Sequence, residues 1–324
     1  MKALILSDGI PGHFNQSIGI ASLISEEIPI KYEIVESKLT FNIFRSLFMQ
    51  YQKFLAKKFN DKNARKIINM HQKICVDDID LIISCGKKVA YHSAAISKVS
   101  SIINIHAGSV KNIDLKNFSV HITGEAVENS PNNVSSVIAP TKYKPVIRKS
   151  RRTNKVLFLI GGDGAGYKFT DKDWINLVEN IKKNKIIPIV ITSRRTNKSH
   201  ENLLINELKN ISDESSAWYH KSNIKIDLNR LYLDVDWIYV TEESATMVTE
   251  AISSGLPVYT LYPESANPSQ SFITHLLKYE KLNFIKRQSM QSEFDKIIYD
   301  SFSVNKVLEI RNNLRIEILK KINL

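Results

Sequence analysis

The chain has 324 residues, which is too many for one ordinary hydrophobic core and enough for two domains. Its residues are 43% hydrophobic and 24% charged, a composition that excludes a wholly disordered chain, a collagen-like repeat and a coiled coil. The longest apolar runs are about six residues, whereas a membrane-spanning helix needs roughly 20. Because no signal-peptide pattern opens the chain and only Cys75 and Cys85 are present, we expect a cytoplasmic protein with reduced thiols.

The first half of the chain alternates short apolar strands with helices. Strands are predicted over residues 2–6, 30–35, 80–84 and 101–105, with helices over about 15–27 and about 88–99. This alternation is typical of parallel sheets with right-handed crossovers. Ligands of such sheets bind beyond the carboxyl ends of the strands, so the residues that follow each strand are the candidates for a site.

The turn after the first strand carries a carboxylate and an imidazole five residues apart, Asp8 and His13. Histidine changes charge near neutral pH and suits a general base, so we predict His13 and Asp8 as catalytic residues. Gly12, Asn15 and Gln16 crowd the same turn and are further candidates. The alternative is a histidine that only supports the fold.

The net charge of +12 is concentrated in two segments, of which the first is residues 41–73. This segment holds eight Lys or Arg residues against one acid, and it also carries an apolar stripe at helical spacing. The stripe consists of Phe44, Leu47, Phe48, Tyr51, Phe54, Leu55 and Phe59. A basic amphipathic helix of this kind predicts contact with an anionic membrane surface. The alternative is a helix that packs on the core and leaves its basic face in water.

Two lysines, Lys87 and Lys88, follow the strand over residues 80–84 and begin the next helix. They can attract an anionic acceptor, and they can equally be the solvated start of a basic helix. No zinc-finger spacing, RNP-like aromatic strand or helix-turn-helix accompanies the positive charge, so nucleic acid is not expected as a partner.

The second basic segment, residues 142–155, separates the two halves. It holds seven Lys or Arg residues and no acid, includes Pro145 and lacks apolar periodicity, as an interdomain linker does. We therefore predict a first domain over residues 1–145 and a second over 153–302. A final helix over about 303–324 has apolar spacing that would let it pack back on the first domain.

The second half repeats the strand–turn–helix pattern. The strand over residues 156–160 ends at a glycine turn that contains Gly161, Gly162 and Gly164 and leads to a helix. Glycines let backbone N–H groups approach a phosphate. No Lys-Ser/Thr pair follows, so the turn is not a P-loop, and its spacing is not a strict dinucleotide fingerprint. A turn that is merely tight is the alternative.

The next strand, over residues 187–192, ends at Ser193, Arg194 and Arg195. Adjacent arginines at the end of a strand can clamp a diphosphate. The alternative is an exposed loop in which both guanidinium groups are solvated.

A third turn in this half joins the strand over residues 236–240 to a helix over about 244–254, and it contains Glu243. Ser244 is predicted to cap the helix, which would leave the N–H groups of Ala245 and Thr246 for a phosphate. Glu250, two turns into an apolar helix, can accept hydrogen bonds from a ribose diol. The alternative for Glu250 is a buried acid that supports the cap.

The remaining histidines and acids do not form a metal-binding pattern, and no serine-hydrolase elbow is present. We therefore expect no metal ion and no cofactor.

Four blocks together resemble the mitochondrial-fission (elongated-mitochondria) family. The blocks are Ser7-Asp8-Gly9-x-Pro11-Gly12-His13-x-Asn15-Gln16-Ser17, Leu159-Ile160-Gly161-Gly162, Thr192-Ser193-Arg194-Arg195-Thr196, and the run from Val240 through Glu250 to Tyr259. They occur in order over most of the chain. Glu243 stands where the family usually has Asp.

The resemblance implies an α/β protein of the GT-B class, with two Rossmann-like domains whose parallel sheets face a central cleft. It implies a metal-independent glycosyltransferase that holds a nucleotide-sugar donor in the C-terminal domain and a glycolipid or oligosaccharide acceptor in the N-terminal domain. Gly12, Asn15, Gln16, Lys87 and Lys88 would then contact the acceptor. The residues named in the three turns of the second half, Glu243 among them, would contact the donor. Bacterial members are associated with lipopolysaccharide or similar envelope sugars, which implies a peripheral location on the inner face of the cytoplasmic membrane.

Two alternatives of other classes remain at this level. One is a non-enzymatic membrane-bound adaptor, which would keep the basic helix and have no need of the site residues. The other is a sugar-nucleotide epimerase, which shares the fold and the donor site and needs neither an acceptor nor a membrane patch.

Overall fold

A computed structural model describes residues 1–40, 45–147, 153–221, 226–295 and 304–324, without the side chain of Arg45. Phe44 of the predicted stripe, linker residues 148–152 and the predicted boundary at 302/303 lie outside the described residues. The chain divides into two compact units. Unit 1 comprises Met1–Lys142 and Glu309–Leu324, and unit 2 comprises Tyr143–Leu308.

Unit 1 is built on a parallel sheet. Its strands are β1 (Lys2–Ser7), β2 (Lys31–Glu36), β3 (Leu81–Cys85), β4 (Ile103–Ala107), β5 (Val120–Thr123) and β6 (Asn133–Ser135). Its helices are α1 (Pro11–Ile24), α2 (Arg45–Ala56), α3 (Asp61–Ile68) and α4 (Lys87–Ser100), with a short 3-10 helix at Leu115–Asn117. Among the described residues the strand order is β2-β1-β3-β4-β5-β6, and every pairing is parallel.

Unit 2 repeats this plan. Its strands are β7 (Lys155–Ile160), β8 (Ile187–Thr192), β9 (Trp237–Thr241), β10 (Val258–Tyr262) and β11 (Lys286–Ser289). Its helices are α5 (Asp171–Lys183), α6 (Lys198–Leu208), α7 (Leu228–Asp234), α8 (Ala245–Ser253) and α9 (Gln270–Lys281). The described strands run parallel in the order β11-β10-β9-β7-β8. Phe158, Trp174 and Tyr239 are buried in its core.

The last helix, α10 (Val304–Lys321), belongs to unit 1 from Glu309 onward. Leu314 and Ile318 join the core cluster that α1 and one face of the sheet form. Arg311 and Arg315 each donate to Glu26, which follows α1, at 2.6 and 2.8 Å. Apolar burial and these ion pairs together hold α10 on unit 1.

The basic segment folds as two helices, α2 and α3, rather than as the single amphipathic helix that the stripe predicts. Asn60 ends the run, because its side chain accepts the Asn63 N–H at 2.9 Å and so caps α3. Leu55 is buried in the core, and Phe48 and Phe59 are partly buried against it. Leu47, Tyr51 and Phe54, which lie side by side at i, i+4 and i+7, are exposed.

Both sheets reverse direction at the equivalent place. In unit 1 the chain moves from β1 to one neighbour, β2, and then returns to the other side at β3; in unit 2 it does the same with β7, β8 and β9. A crevice forms at the carboxyl ends of the strands where such a reversal occurs. We call these places the β1/β3 and β7/β9 switch points. No helix of the described residues is long and apolar enough to cross a bilayer.

Candidate functional site

At the β1/β3 switch point, Asp8 and His13 contact each other. Pro11 occupies the first position of α1, where its missing N–H costs nothing, so the helix begins early enough to place His13 in its first turn. Asp8 Oδ1 accepts the Ile10 N–H at 3.1 Å, and Oδ2 lies 3.0 Å from His13 Nδ1. The Asp8 side chain is 2% exposed and that of His13 is 34% exposed.

This geometry gives the imidazole a fixed orientation and an accessible edge. A carboxylate at Nδ1 favours the tautomer with the proton on that nitrogen, which leaves the Nε2 lone pair to take a proton. The carboxylate also stabilises the imidazolium that results. The pair can therefore act as a general base with an orienting acid.

The turn after β3 completes this end of the sheet. Gly86 has φ +92°, and a Cβ there would lie 2.3 Å from His13 Nδ1, so only glycine lets the backbone pack on the imidazole. Lys87 and Lys88 are exposed in the first turn of α4. The two lysines therefore lie one and two residues beyond the backbone that touches His13.

Of the predicted acceptor residues on α1, Gly12, Asn15 and Gln16 are all partly exposed in its first two turns. The Oε1 atom of Gln16 accepts the Cys85 S–H at 3.1 Å. Burial raises the pKa of Cys85 to about 12, and Asp8 adds to the effect, so this thiol is not a nucleophile at neutral pH.

At the β7/β9 switch point, the glycine turn is closed by its own hydrogen bonds. Gly161 N–H donates to Thr241 Oγ1 at 2.8 Å, Gly162 N–H to Glu243 Oε1 at 3.2 Å, and Gly164 N–H to the Tyr167 carbonyl at 3.1 Å. The expectation that these N–H groups face a phosphate therefore does not match this conformation. The glycines serve instead to let neighbouring groups approach.

Because glycines have no side chain, Arg195 can pack closely against the glycine turn. A Cβ on Gly162 would lie 2.0 Å from the Arg195 carbonyl oxygen, and one on Gly164 would lie 3.5 Å from Arg195 Nη1. The Ser193 hydroxyl accepts the Arg195 N–H at 3.1 Å, and the Thr196 hydroxyl donates to the Gly161 carbonyl at 2.6 Å. The turn after β8 is thus fastened to the glycine turn, with the exposed side chains of Arg194 and Arg195 beside it.

Glu243 lies beneath the glycine turn. Its side chain is buried, and a Cβ on Gly161 would lie 1.5 Å from its Oε1 atom. Burial raises the pKa of Glu243 to about 7, against the opposing effects of the neighbouring Thr241 hydroxyl, the Gly162 N–H and the Arg195 charge. The structure therefore brings together the three glycines, Arg195 and Glu243.

Helix α8 begins as predicted, because Ser244 accepts the Met247 N–H at 3.4 Å. The N–H groups of Ala245 and Thr246 precede the capped one and have no partner within the helix. Glu250 is buried two turns on, where its charge helps to raise the pKa of Tyr143, after the larger effect of burial. Glu250 thus lies close enough to Tyr143 to affect its ionisation.

Sequence reasoning missed the carboxylate next to Glu243. Glu242 accepts two hydrogen bonds from Arg287, at 2.7 and 2.9 Å, and one each from Tyr167 at 2.9 Å and Thr260 at 2.7 Å. The side chain is fully buried, so this network ties β9 to β10, β11 and the end of the glycine turn. The sequence offered one signal for this pair, namely an acid directly after an apolar strand. A carboxylate in that position is buried, and a buried carboxylate needs a cation as a partner.

No group of three or more His, Cys, Asp or Glu residues that could hold a metal ion occurs in the part of the chain that the structure describes.

Comparisons with known proteins agree with this architecture. A putatively assigned UDP-N-acetylglucosamine 2-epimerase from Listeria monocytogenes superposes with a TM-score of 0.52 at 8% identity, covering 100% of this chain and 88% of that one. Os79 from O. sativa, in complex with U2F and trichothecene, superposes with a TM-score of 0.50 at 7% identity, covering 100% and 94%. At such identities the likeness shows the fold alone, and the predicted class, GT-B with two Rossmann-like domains, is confirmed.

Sequence relatives are fewer. A Rickettsia prowazekii protein described as uncharacterized protein RP120 is 32% identical over 117 residues, which is 34% of this chain and 32% of that protein. The match thus spans about a third of that relative. The model of the family described as mitochondrial fission ELM1 matches residues 11–293. A match of that extent, which takes in His13, the glycine turn and α8, means that the chain belongs to the mitochondrial fission ELM1 family.

Proposed function

We propose that this protein is a glycosyltransferase that moves a sugar from a nucleotide-sugar donor to a glycolipid or oligosaccharide of the cell envelope. The observation that carries the proposal is the contrast between the two switch points. One presents an imidazole oriented by a carboxylate, and the other presents Arg195 on a turn of glycines. A proton acceptor for the attacking hydroxyl and an anion-binding group for the departing nucleotide together assist direct displacement of a nucleotide from a sugar.

In this proposal unit 2 holds the donor. Arg194, Arg195 and the Ser193 hydroxyl contact the diphosphate, and the N–H groups of Ala245 and Thr246 add the positive end of α8. These groups stabilise the charge that develops on the departing nucleoside diphosphate, so no metal ion is needed. Glu250 is assigned to the ribose hydroxyls.

Unit 1 holds the acceptor and the base. His13 Nε2 takes the proton of the acceptor hydroxyl while the oxygen bonds to the anomeric carbon, and the bond from that carbon to the donor phosphate oxygen breaks. Asp8 stabilises the imidazolium, which then returns its proton to water. Gly12, Asn15 and Gln16 contact the acceptor, and Lys87 and Lys88 attract its anionic groups.

Donor binding is tested by thermal unfolding in the presence of UDP, GDP, ADP or CMP. We expect one of these nucleotides to raise the melting temperature, because a ligand that binds only the folded state stabilises it. The shift should shrink in Arg195→Ala and persist in Arg230→Ala, which removes an exposed arginine of α7. If no nucleotide stabilises the protein at millimolar concentration, the adaptor alternative is favoured and the transferase proposal fails.

Transfer itself is tested by incubating the nucleotide sugar of the stabilising nucleotide with an envelope glycolipid extract. Mass spectrometry should detect a glycolipid heavier by one sugar residue, and the free nucleotide should appear in equal amount. An altered donor sugar formed without any acceptor would instead indicate the epimerase alternative.

We also propose that α2 binds the inner face of the cytoplasmic membrane. Leu47, Tyr51 and Phe54 are exposed, and the Tyr51 and Phe54 rings stack with centroids 6.4 Å apart. Lys53, Lys57 and Lys58 are exposed on or just after the same helix. The apolar side chains would enter the interface, and each basic residue near an anionic surface contributes about 1 kcal/mol.

This part is tested by sedimentation with vesicles of phosphatidylcholine alone or with added phosphatidylglycerol. Binding should require the anionic lipid, weaken with salt and drop in Phe54→Ser. Leu233→Ser is the matched control, since Leu233 is 70% exposed and Phe54 68%. Equal loss of binding in both variants would contradict the assignment of α2.

A further inference from the structure

Glu243 carries a buried oxygen for which the structure provides no partner. The side chain is 2% exposed, and its Oε1 atom accepts the Gly162 N–H. Its Oε2 atom has no hydrogen-bond partner among the described residues. An unsatisfied buried carboxylate oxygen is uncommon and costly, so its presence beneath a candidate anion site calls for a role beyond packing.

The Glu243 side chain and the Arg195 guanidinium approach the same point of the glycine turn. A Cβ on Gly164 would lie 3.8 Å from Glu243 Cγ and 3.5 Å from Arg195 Nη1. The Arg195 charge lies near enough to oppose the raised pKa of Glu243, and because Glu243 is buried the two charges are poorly screened from each other. An anion that binds Arg195 would therefore also interact with the charge of Glu243.

The other ionisable groups around Glu243 do not compete for this role. The Tyr167 phenol has its pKa raised by burial and by Glu242, so it stays neutral near pH 7. The carboxylate of Glu242 is paired with Arg287 through two hydrogen bonds. Asp163, in the glycine turn, is exposed to water and accepts the Phe169 N–H at 2.9 Å. We therefore take Arg195 and the buried Glu243 as the pair that responds to an anion.

We propose that Glu243 is a positioning residue that couples the binding of a phosphate group at this turn to the uptake of up to one proton from solvent. A bound phosphate beside Arg195 favours the neutral carboxyl, and the neutral carboxyl in turn favours the phosphate, because like charges repel. The inference rests on the proposed function, since it takes the diphosphate of the donor nucleotide as the anion.

The direction of the pH effect follows from burial, which sets the pKa of Glu243 at about 7. Above that value the free protein holds a carboxylate under the turn, and anion binding must overcome its charge. Nucleotide affinity should therefore fall as the pH rises through 7, beyond any fall that the ionisation of the nucleotide itself causes.

The test is isothermal titration of the full chain with UDP, GDP, ADP and inorganic pyrophosphate, between about pH 6 and pH 8.5. Each titration is made in two buffers with different ionisation enthalpies, so that proton uptake is counted directly in the unmodified protein. Glu243→Gln mimics the neutral carboxyl and can still accept the Gly162 N–H. Glu264→Gln removes an exposed carboxylate of the same unit and serves as the control.

We expect the unmodified protein and Glu264→Gln to take up a fraction of a proton at about pH 7.5 and to lose affinity with rising pH. Glu243→Gln should lack that uptake and bind about tenfold more tightly than the unmodified protein at about pH 8.5, with little difference at about pH 6. If the unmodified protein and Glu243→Gln show parallel pH profiles of affinity and equal proton uptake, the inference is overturned and the donor site stays in place. If none of the four probes binds the unmodified protein or Glu243→Gln, the inference and the proposed function are both overturned.

Discussion

The two switch points have the same strand order and opposite chemistry. In unit 1 the acid, Asp8, is buried and paired with an imidazole that remains partly exposed. In unit 2 Glu242 and Glu243, which follow β9, are buried, whereas Arg194 and Arg195, which follow β8, are exposed. The same strand order thus carries an imidazole beside a carboxylate in one unit and exposed guanidinium groups in the other.

The difference lies in what each buried carboxylate contacts. Asp8 stands next to a group that can change its charge, so the pair can take up a proton. Glu242 stands next to Arg287, whose charge is permanent, so that pair is structural. Four substitutions probe this contrast, from the largest expected effect to the smallest.

His13→Ala should lower the rate of sugar transfer by about 10²- to 10⁴-fold, because the general base is lost. Nucleotide binding measured by thermal shift should be unchanged, since His13 belongs to unit 1. His200→Ala is the control, because His200 also pairs with a carboxylate, Asp171, at 3.2 Å and lies on α6 of unit 2. If His13→Ala and Asp8→Ala both retain full transfer, the assignment of the base is wrong.

Arg287→Ala should destabilise the protein by about 3–5 kcal/mol, because it leaves the Glu242 carboxylate buried without a cation. Urea unfolding measures the loss, and Arg230→Ala should cost less than about 0.5 kcal/mol as an exposed control. A small effect of Arg287→Ala would mean that the Glu242–Arg287 pair does not stabilise the fold.

Glu243→Gln should change how stability depends on pH. The folded-state pKa of about 7 lies above the usual 4.5, so the folded protein disfavours the carboxylate. The stability of the unmodified protein should therefore fall as the pH rises from about 4.5 to 7, by about 3 kcal/mol in total. Glu243→Gln should be the more stable protein at about pH 8 and nearly equal at about pH 5. Identical chemical-denaturation curves at both pH values would argue against the buried carboxyl.

Gly162→Ala should cost about 1–3 kcal/mol and weaken nucleotide binding, because its Cβ would lie 2.0 Å from the Arg195 carbonyl oxygen. Gly164→Ala is the matched control within the same turn, where the nearest atom, at 3.5 Å, is the end of the Arg195 side chain. Gly86→Ala in unit 1 should instead reduce transfer, since it displaces the His13 ring. Equal effects of the two unit 2 variants on denaturation would contradict the close packing of the turns.

Part of this site was predictable because it depends on local signals. Glycine after an apolar strand marks the turn at Gly161, and a serine before a helical pattern marks the cap at Ser244. The proximity of Asp8 and His13 was also predictable, since they are five residues apart on one turn. Alternation of strands with helices predicted the parallel sheets, and the family match confirmed the resemblance.

The remaining features depend on residues that are distant along the chain. Glu242 meets Arg287 across 45 residues, and no local pattern connects them. The N–H groups of the glycines point inward because Thr241 and Glu243 are there to accept them. The apolar stripe divides into exposed and buried residues because α3 and α4 cover only one side of α2.

The sequence by itself determined where strands end and which residue types stand there, since backbone conformation at a glycine or a cap is a short-range property. The tertiary structure decided which of the carboxylates, arginines and N–H groups remain available to a ligand. Availability depends on burial and on hydrogen-bond partners, and both are set by the packing of elements far apart in the chain.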